Sequence, residues 1–576
     1  MEKKWVVREG QDEQKIEALR TALKVDRIVA ELLIQRGIDN FEAAKKFFRP
    51  QLTDLHDPFL MKNMEEAVNR LNSAIENNER ILLFGDYDVD GTTAVALMYS
   101  FLESQNVNVD FYIPDRYKEG YGLSIEGIDY AKKSSCKLII SLDCGIKSID
   151  KVKYAREQGL DFIVCDHHEP GNLLPEAIIL DQKQRDCPYP YKELSGCGVG
   201  FKLLQGLSIR REIPLENLYQ FLDLLVLSIG ADIVPVTGEN RILCQFGLKQ
   251  LNENPRTAFK ELVAIAGKKF PLSLTDVVFT IAPRINAAGR INSGKTAVEL
   301  MISENVEEIK NLASSIHDDN AVRRDLDSQI TEEALAQIKN DSSYSQKVTT
   351  VVYSPDWHKG VVGIVASRLI ENHYRPTIVL TGGENGIIGG SARSIDNINL
   401  YEVLEECEDL LIQFGGHSHA AGMTLELRNL EAFKKHFNEA VQKRKQNAIF
   451  QPIQEIDISI ELNEIHKDEP ITSIPRLKRI IADFEPHGPG NMKPVFFSSN
   501  LFTTDSRILK EEHLKLKVTQ PNSKYAYDAI GFRLAEKEQM TTKGLPFEMV
   551  YTLETNEFNG KTTVQMNIKD IRSMVI

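Results

Sequence analysis

Three things are scarce in this chain, and each scarcity removes a class of function. Cysteine is one. Seven are present, an odd number with no C-x-x-C pair, so neither a disulfide framework nor a thiolate zinc pattern is available. Free buried thiols and a reducing cytoplasm are the expectation. Long hydrophobic runs are another. No apolar stretch reaches bilayer-spanning length, and the opening MEKKWVVREGQDEQ has no apolar core of signal-peptide length, which predicts a cytoplasmic protein with no membrane association. Positive charge is the third. With 69 Lys and Arg against 83 Asp and Glu the formal net charge is −14, which excludes a chain that coats nucleic acid or membranes indiscriminately. A local basic groove is compatible with that balance, and bound cations would offset part of an acidic site. The chain also lacks fixed-period repeats, low-complexity tracts and any serine or cysteine nucleophile motif.

What is there is an ordinary globular composition, 42% apolar and 26% charged over 576 residues, on a chain long enough for roughly three to five domains. Residues 1–60 read as a helical lead-in, with VDRIVAELLIQRG and NFEAAKKFFRP showing helix-period apolar positions. Residues 61–250 open with the helix MEEAVNRLNSAIENNE. The strands ILLF, VNVDFYI, KLIISL, LDFIVC and AIIL then alternate with helical stretches, which predicts an α/β domain with a doubly wound, mostly parallel sheet. Residues 251–340 form a helical connector, whose part from 297 on lacks strand signals and predicts one long helix, continuous or interrupted. Residues 341–448, from KVTTVVYS to the amphipathic FKKHFNEAVQKRKQ, form a second α/β domain. From 449 to 576 the short alternating segments EIDISIEL, LKLKVTQ, FEMVYTLE and TTVQMNIKDI predict a small β-barrel or sandwich.

The densest chemistry lies in ILLFGDYDVDGTTAVALM, residues 81 to 98. Ile81 to Phe84 read as a buried parallel strand, and the loop after it carries Asp86, Asp88 and Asp90. Carboxylates spaced this tightly repel one another unless something positive sits between them. At the end of a strand in an α/β sheet the natural guest is a divalent cation. Alone, the stretch reads equally well as an acidic surface turn. The same grammar recurs, however. KLIISLDCG puts Asp143 past a strand, DFIVCDHHEP puts Asp166, His167 and His168 past another, and LLVLSIGADIVPV puts Asp232 after a further apolar run. Each has an ordinary explanation by itself: a helix cap, a surface histidine, the start of a turn. Parallel strands deliver their C-terminal ends to one edge, so acidic loops far apart in sequence are predicted to meet there. Asp with His suits Mn²⁺, or Mg²⁺ with retained waters, better than calcium or a thiolate-rich zinc site. So many ligands predict two cations, the arrangement that clamps attacking and leaving oxygens in phosphoryl displacement. Direct attack by water is expected.

GDYDVDGTTA, SLDCG, CDHHEP and SIGADIVP resemble the four motifs of the DHH phosphoesterase superfamily. WHKGVVGIVASRL, GGSARS and GGHSHAAGM resemble its DHHA1 domain, and the C-terminal segment, led by EPHGPGNMKPVF, resembles the family's OB fold. Nearly the whole chain is similar to the bacterial RecJ single-strand-specific exonucleases. The resemblance implies a DHH catalytic domain at 61–250, a DHHA1 domain at 341–448 and an OB-fold barrel at 449–576. It implies 5′→3′ hydrolysis of single-stranded DNA to 5′-mononucleotides, with Mn²⁺ or Mg²⁺, in recombination and repair, and it suggests a helicase and a single-strand-binding protein as partners. Carried over by motif, Asp88 and Asp90 are metal ligands with Asp86 a third candidate, and Asp143 is a shared ligand. His167 is a ligand, His168 faces the scissile phosphate or leaving group, and Asp232 closes the site. Asp166 is either a ligand or an acceptor that orients a histidine. In EPHGPGNMKP, His487 stands where an aromatic is expected.

An exonuclease must also grip a backbone charged at every nucleotide. IPDRYKEGYGLS offers Arg116 to fork onto a phosphate and Tyr121 to stack a base. The alternative pairs Arg116 with a nearby Glu and puts Tyr121 in the core. PRINAAGRINSGK supplies Arg284 and Arg290 among small residues that let a ligand approach the backbone. GGSARS supplies Ser391 and Arg393, and QFGGHSHAAG supplies His417 and His419. Glycine-rich loops with hydroxyls and arginines are natural phosphate cradles, although glycine pairs often merely turn the chain. With the resemblance, Arg116, one of the PRINAAGR arginines, Ser391 and Arg393 are expected to hold the 5′-terminal phosphate beside Tyr121. His417 and His419 either touch DNA phosphate or are structural. A narrow cleft between the two α/β domains would select one strand by width. Two rivals are a DHH phosphodiesterase for short oligonucleotides or cyclic dinucleotides, which usually lacks both connector and barrel, and a silent scaffold relative, which predicts eroded ligand loops.

Overall fold

The computed structural model describes residues 2–8, 12–445, 450–467, 469–471, 473–521, 523–558 and 560–574. Strands Ile81–Gly85, Val109–Tyr112, Leu138–Leu142, Asp161–Cys165 and Ile178–Leu180 form one sheet in which every pairing is parallel. The second strand lies outside the first, and the other three follow in order on its far side. Alternate residues feed two separate cores. Ile81, Leu83, Ile140 and Ile163 pack with helices Met64–Glu76, Val89–Ser104 and Gly196–Arg210. Leu82, Phe84, Ile139 and Val164 pack with helices Ile125–Lys133 and Ile149–Glu157 on the other face. A strand with both faces covered has no polar side to show, which is why its sequence reads as an unbroken apolar run.

The expected run before Asp232 is corrected by the structure. LLVLSIGA is not strand-like but lies in the helix Leu222–Ala231, packed against helices Val89–Ser104 and Gly238–Glu253. A helix buried on all sides is apolar on all sides and loses the helical period that would announce it. The connector contains helix Gly294–Ile302, a break at 303–305, and helix Val306–Asn340, 35 residues long.

Strands Gln413–Gly416, Ala420–Glu426, Ile387–Arg393, Thr377–Gly382 and Thr350–Ser354 form the second α/β sheet in that spatial order, with only the last two parallel to each other. The stretch between 445 and 450, where Gln446 and the boundary at 448/449 were expected, lies outside the described residues. In the C-terminal part, Phe496–Leu509, His513–Thr519, Tyr527–Gly531, Lys561–Ser573 and Phe547–Phe558 pair in succession, and the last returns to the first. The barrel is therefore closed, which removes its free edges.

The lead-in carries the two expected helices and a strand besides. Strand Lys4–Val7 pairs in parallel with Ile453–Ile456, and helices Glu13–Leu23, Arg27–Ile34 and Phe41–Phe48 share one core with the barrel through Leu32, Leu33, Leu477 and Phe484. An amphipathic pattern gives a helix its apolar face but not the surface that face will cover. Among the described residues no helix is long and apolar enough to cross a membrane.

Candidate active site

The acidic loops converge where the chain leaves adjacent strands Ile81–Gly85 and Leu138–Leu142 towards opposite faces of the sheet, the crevice in which open α/β sheets bind ligands. Asp88 caps helix Val89–Ser104, its Oδ1 accepting from Gly91 N at 3.1 Å. A Cβ at Gly91 would lie 2.5 Å from the Asp86 carbonyl oxygen, so glycine lets the acidic loop fold tightly over that first turn. Asp143 donates its N–H to Cys165 O at 2.9 Å and then turns back with φ +61°. A non-glycine residue there carries strain of about 1–2 kcal/mol, a feature that gathers at functional sites. Asp90 is fixed at the start of helix Gly196–Arg210, accepting from Gly196 N at 2.7 Å, Cys197 N at 2.8 Å and Ser228 Oγ at 2.7 Å.

His167 Nε2 then lies 3.2 Å from Asp143 Oδ1, 3.6 Å from Asp232 Oδ2 and 3.7 Å from Asp90 Oδ2. Three sets of ligand atoms each fall within 4.8 Å of one another: Asp86, Asp88 and Asp143; Asp90, His167 and Asp232; Asp143, His167 and His168. Asp143 and His167 each belong to two sets. Both Asp86 carboxylate oxygens, Asp143 Oδ1 and both His167 ring nitrogens are buried with no hydrogen-bond partner among the described residues. Unpaired buried carboxylates cost several kcal/mol each unless a cation or a proton neutralises them. Burial, with Asp88 next to it, pushes the Asp86 carboxyl well up, and burial with Asp90 does the same to Asp143. Asp88 is raised by burial and Asp90, and Asp232 is pushed up to about 8 by burial and Asp90. Burial lowers His167, leaving a neutral imidazole fit to ligate. Oxygen donors with one or two imidazoles suit Mn²⁺ or Mg²⁺.

Asp166, expected as a possible ligand, is not in any of these sets. Its oxygens are spent elsewhere: it accepts from Ile146 N at 2.9 Å and His167 N at 2.8 Å, and pairs with His168 Nδ1 at 2.7 Å. Burial alone would raise its pKa, but the His168 hydrogen bond and charge hold it far below the usual carboxylate range. Burial opposes the charge on His168, yet Asp166 lifts it to about 9, so His168 carries a proton at neutral pH. Its Nε2 meets Tyr121 Oη at 3.1 Å.

A second cluster, of opposite sign, adjoins the first. Arg116 lies 4.8 Å from the centre of the Tyr87 ring and makes no ion pair among the described residues, so the alternative of a Glu partner falls. Tyr121 is 54% exposed, which removes the core alternative; its ring stands edge-on to Tyr87 at 6.2 Å. Arg290 is lowered to about 10 by burial and by Arg116, Arg323 and Arg393 around it. Arg393 is lowered by burial and by Arg116, and its Nη1 donates to Ser391 Oγ at 2.8 Å. His417 and His419 are exposed on the hairpin between strands Gln413–Gly416 and Ala420–Glu426, with Arg393 and His168 among the charges that bear on His417.

The loops expected to cradle phosphate are regular elements. PRINAAGR lies in helix Ala282–Ile291 and GGSAR in strand Ile387–Arg393. The close approach permitted by the small residues is made to the acidic loop: a Cβ at Gly289 would run into Tyr87 O, and one at Gly294 would lie 3.1 Å from it. Arg284 is the arginine that does not join. It is buried, donates to Thr280 O and, at 3.3 Å, to His317 Nδ1, and neighbours Arg323 and Arg324 on the long helix. Sequence reading missed the first turn of helix Val362–Asn372, where a Cβ on Gly363 would lie 3.0 Å from both Arg393 Nη2 and Ser391 Oγ. The glycine after a valine pair in HKGVVG was the available signal. Unpaired amides at such a helix start favour anions.

Residues 80–229 match the DHH family, N-terminal domain, residues 345–443 match the DHHA1 domain, and residues 456–570 match the RecJ OB domain. The chain is 38% identical over 562 residues to the single-stranded-DNA-specific exonuclease RecJ of Bacillus subtilis, covering 97% of this chain and 70% of that one. It is 32% identical over 532 residues to the Escherichia coli protein of the same name, covering 89% and 90%. The crystal structure of RecJ in complex with Mn²⁺ from Thermus thermophilus superposes with a TM-score of 0.83 at 25% identity, covering 100% of this chain and 80% of that one. The corresponding Mg²⁺ complex gives 0.77 at the same identity, covering 100% and 79%.

Proposed function

Since the chain belongs to the RecJ family of single-stranded-DNA-specific exonucleases, we propose that it removes nucleotides stepwise from the 5′ end of single-stranded DNA as 5′-mononucleotides. It is a metal-dependent phosphodiesterase that uses Mn²⁺ or Mg²⁺. Asp86, Asp88, Asp90, Asp143, His167 and Asp232 would hold two cations, which supply charge neutralisation at the phosphate and a nucleophilic water at neutral pH. Protonated His168, oriented by Asp166 and with its Nε2 against the Tyr121 hydroxyl, would neutralise the leaving oxygen. Arg116, Arg290, Ser391 and Arg393 bind the terminal phosphate, and Tyr121 stacks the first base between the two clusters.

One observation carries the product size, and the family carries the polarity. The arginine cluster touches the carboxylate cluster through the contiguous side chains Arg116, Tyr87, Tyr121 and His168. A terminal phosphate held by the arginines therefore leaves room for about one nucleotide before the cations, on the spacing of an extended strand. The finer readings, a cytoplasmic setting with a helicase and a single-strand-binding protein as partners, are supported by the substrate: an enzyme confined to single strands depends on others to expose them. The test uses oligonucleotides labelled at either end, with Mn²⁺. A labelled mononucleotide released first from the 5′ end is expected. First release from the 3′ end, or of longer fragments, would overturn the polarity.

A further inference from the structure

Among the described residues no hydrogen bond holds the Asp232 carboxylate, although it lies 3.6 Å from His167. Its reach is set by the backbone alone. That backbone turns at Ile233, φ +61°, and runs through Pro235 and Val236 to Thr237, the N-cap of helix Gly238–Glu253. On one side Tyr191 Oη and Asn240 Nδ2 donate to Pro235 O at 3.1 and 3.0 Å. On the other side sits the turn 488–491, which leads into the barrel. Val236 N donates to Pro489 O at 2.7 Å. Gly488 is so close that an added Cβ would run into Val236 Cγ2, and a Cβ on Gly490 would lie 2.8 Å from Thr237 Cγ2.

The turn itself is stiff. Gly488 N donates to Asn491 O at 3.2 Å, and Asn491 N returns a bond to Gly488 O at 2.8 Å. Buried Asn491 donates Nδ2 to Phe484 O at 2.7 Å and Pro486 O at 2.9 Å, and accepts from Arg36 Nε at 3.0 Å. Arg241, four residues beyond Thr237, donates to Phe484 O at 2.9 Å and to Phe47 O at 3.1 Å. The N-terminal helices, the barrel and the segment after Asp232 are thus tied at one point.

We infer that the turn 488–491 is a positioning element for the active site: by docking on Pro235, Val236 and Thr237 it sets how far Asp232 reaches towards the cation shared with Asp90 and His167. The inference rests on the reading of that trio as cation-holding. Supports one step removed from a metal ligand commonly matter 10- to 100-fold in metal affinity.

The test is Mn²⁺ binding to the full-length chain by isothermal titration calorimetry, with cleavage measured across a range of Mn²⁺ concentrations. Gly488→Ala is expected to weaken Mn²⁺ binding by about 10-fold or more. Cleavage should recover as Mn²⁺ is raised, with the KM for the oligonucleotide within about twofold of the native value. Combining it with Val236→Ala, which removes the methyl groups the new Cβ meets, should restore affinity, and a metal-free melting temperature of Gly488→Ala close to native separates this from a loss of fold, which Mn²⁺ would also rescue. Where Gly488→Ala does not fold, Gly490→Ala is measured under the same criteria. Native Mn²⁺ affinity in a folded variant overturns the inference. Asp232→Asn, run in parallel, separates the two failures: unchanged Mn²⁺ binding there overturns the cation-holding reading itself, whereas weakened binding there with a native-like Gly488→Ala overturns only the role of the turn.

Discussion

The two charged clusters are built in opposite ways. The carboxylates come from the C-terminal edge of one sheet and from the helices packed on it, all inside residues 80–232. The arginines come from three places: Arg116 from the first α/β unit, Arg290 from the connector, Ser391 and Arg393 from the second sheet. Each cluster gathers like charge at a cost, but the first is built within one domain, with only the reach of Asp232 set by a docked turn, whereas the second exists only once the units meet. Tyr117, whose hydroxyl donates to the Arg290 carbonyl, and Arg290, whose Nη1 reaches Gly360 O at 3.2 Å, are the stitches across that meeting. Chemistry should therefore depend on the first cluster almost absolutely, and on the second by degrees.

The sharpest way to break this contrast is Asp143→Ala. Asp143 belongs to two of the ligand sets, so cleavage should fall on the order of 10⁴-fold, the scale at which one member of a catalytic unit fails. Affinity for single-stranded DNA without metal should stay close to native. The same change removes a buried carboxyl that the metal-free chain holds unpaired, at a cost whether ionised or protonated, so the metal-free variant should melt higher than the metal-free native chain. Turnover within tenfold of native would remove Asp143 from the centre of the account.

The carboxylates also predict a pH dependence that the arginines do not share. Asp232 has a folded pKa of about 8 against an ordinary value of 3.8, and Asp86, Asp88 and Asp143 shift the same way. A raised folded pKa means that the folded state binds more protons. This contribution to stability is complete below about pH 4 and is lost as pH rises towards 8. The metal-free chain should thus melt lower at pH 8 than at pH 6, and Mn²⁺ should reverse the order by binding only the folded form. Thermal melts at the two pH values, with and without Mn²⁺, check it; a metal-free chain more stable at pH 8 contradicts the neutralisation argument.

Arg393→Ala tests the second cluster. Losing one charge-assisted contact of about 1.5–3 kcal/mol should weaken binding of a 5′-phosphorylated strand roughly 10- to 100-fold. The salt slope should fall by about one unit, and kcat at saturating substrate should hold. Equal loss for 5′-hydroxyl strands would detach Arg393 from the terminal phosphate.

The same division explains what could be read in advance. Four parallel strands each closing on an acidic or turn residue fix where their loops meet, so Asp86, Asp88, Asp143 and His167 were legible from spacing and topology together. Asp232 was singled out from the sequence and lies beside Asp90 and His167, while the element before it was misread, because a fully buried helix carries no period. The docking of the N-terminal helices on the barrel was invisible for a different reason: nothing in their apolar faces encodes a partner more than 400 residues away, as the parallel pairing of Lys4 with Ile453 requires. Asp166 was left open because its type alone does not reveal that backbone amides and His168 would occupy its oxygens first.

The smallest predicted effect sharpens the comparison most finely. Arg284 and Arg290 sit in one motif, and as a loop nothing distinguishes them. As a helix, with 100° per residue, six positions separate their directions by about 120°. Arg290 accordingly faces Arg116 and Arg393, while Arg284 faces Arg324 and His317 on the long helix, with Arg323 near both. Arg284→Ala should leave affinity for a 5′-phosphorylated strand a few nucleotides long within about twofold of native, and keep the preference for phosphate over hydroxyl, because Arg284 is buried outside the pocket with its donors spent on Thr280 and His317. Arg290→Ala should lose both. Fluorescence anisotropy with short strands of either 5′ chemistry decides it. If the two variants fall together, the pocket is not a discrete cluster at the meeting of three units but a basic surface continuing along helix Val306–Asn340, and the contrast between a built-in and an assembled cluster loses its sharp edge.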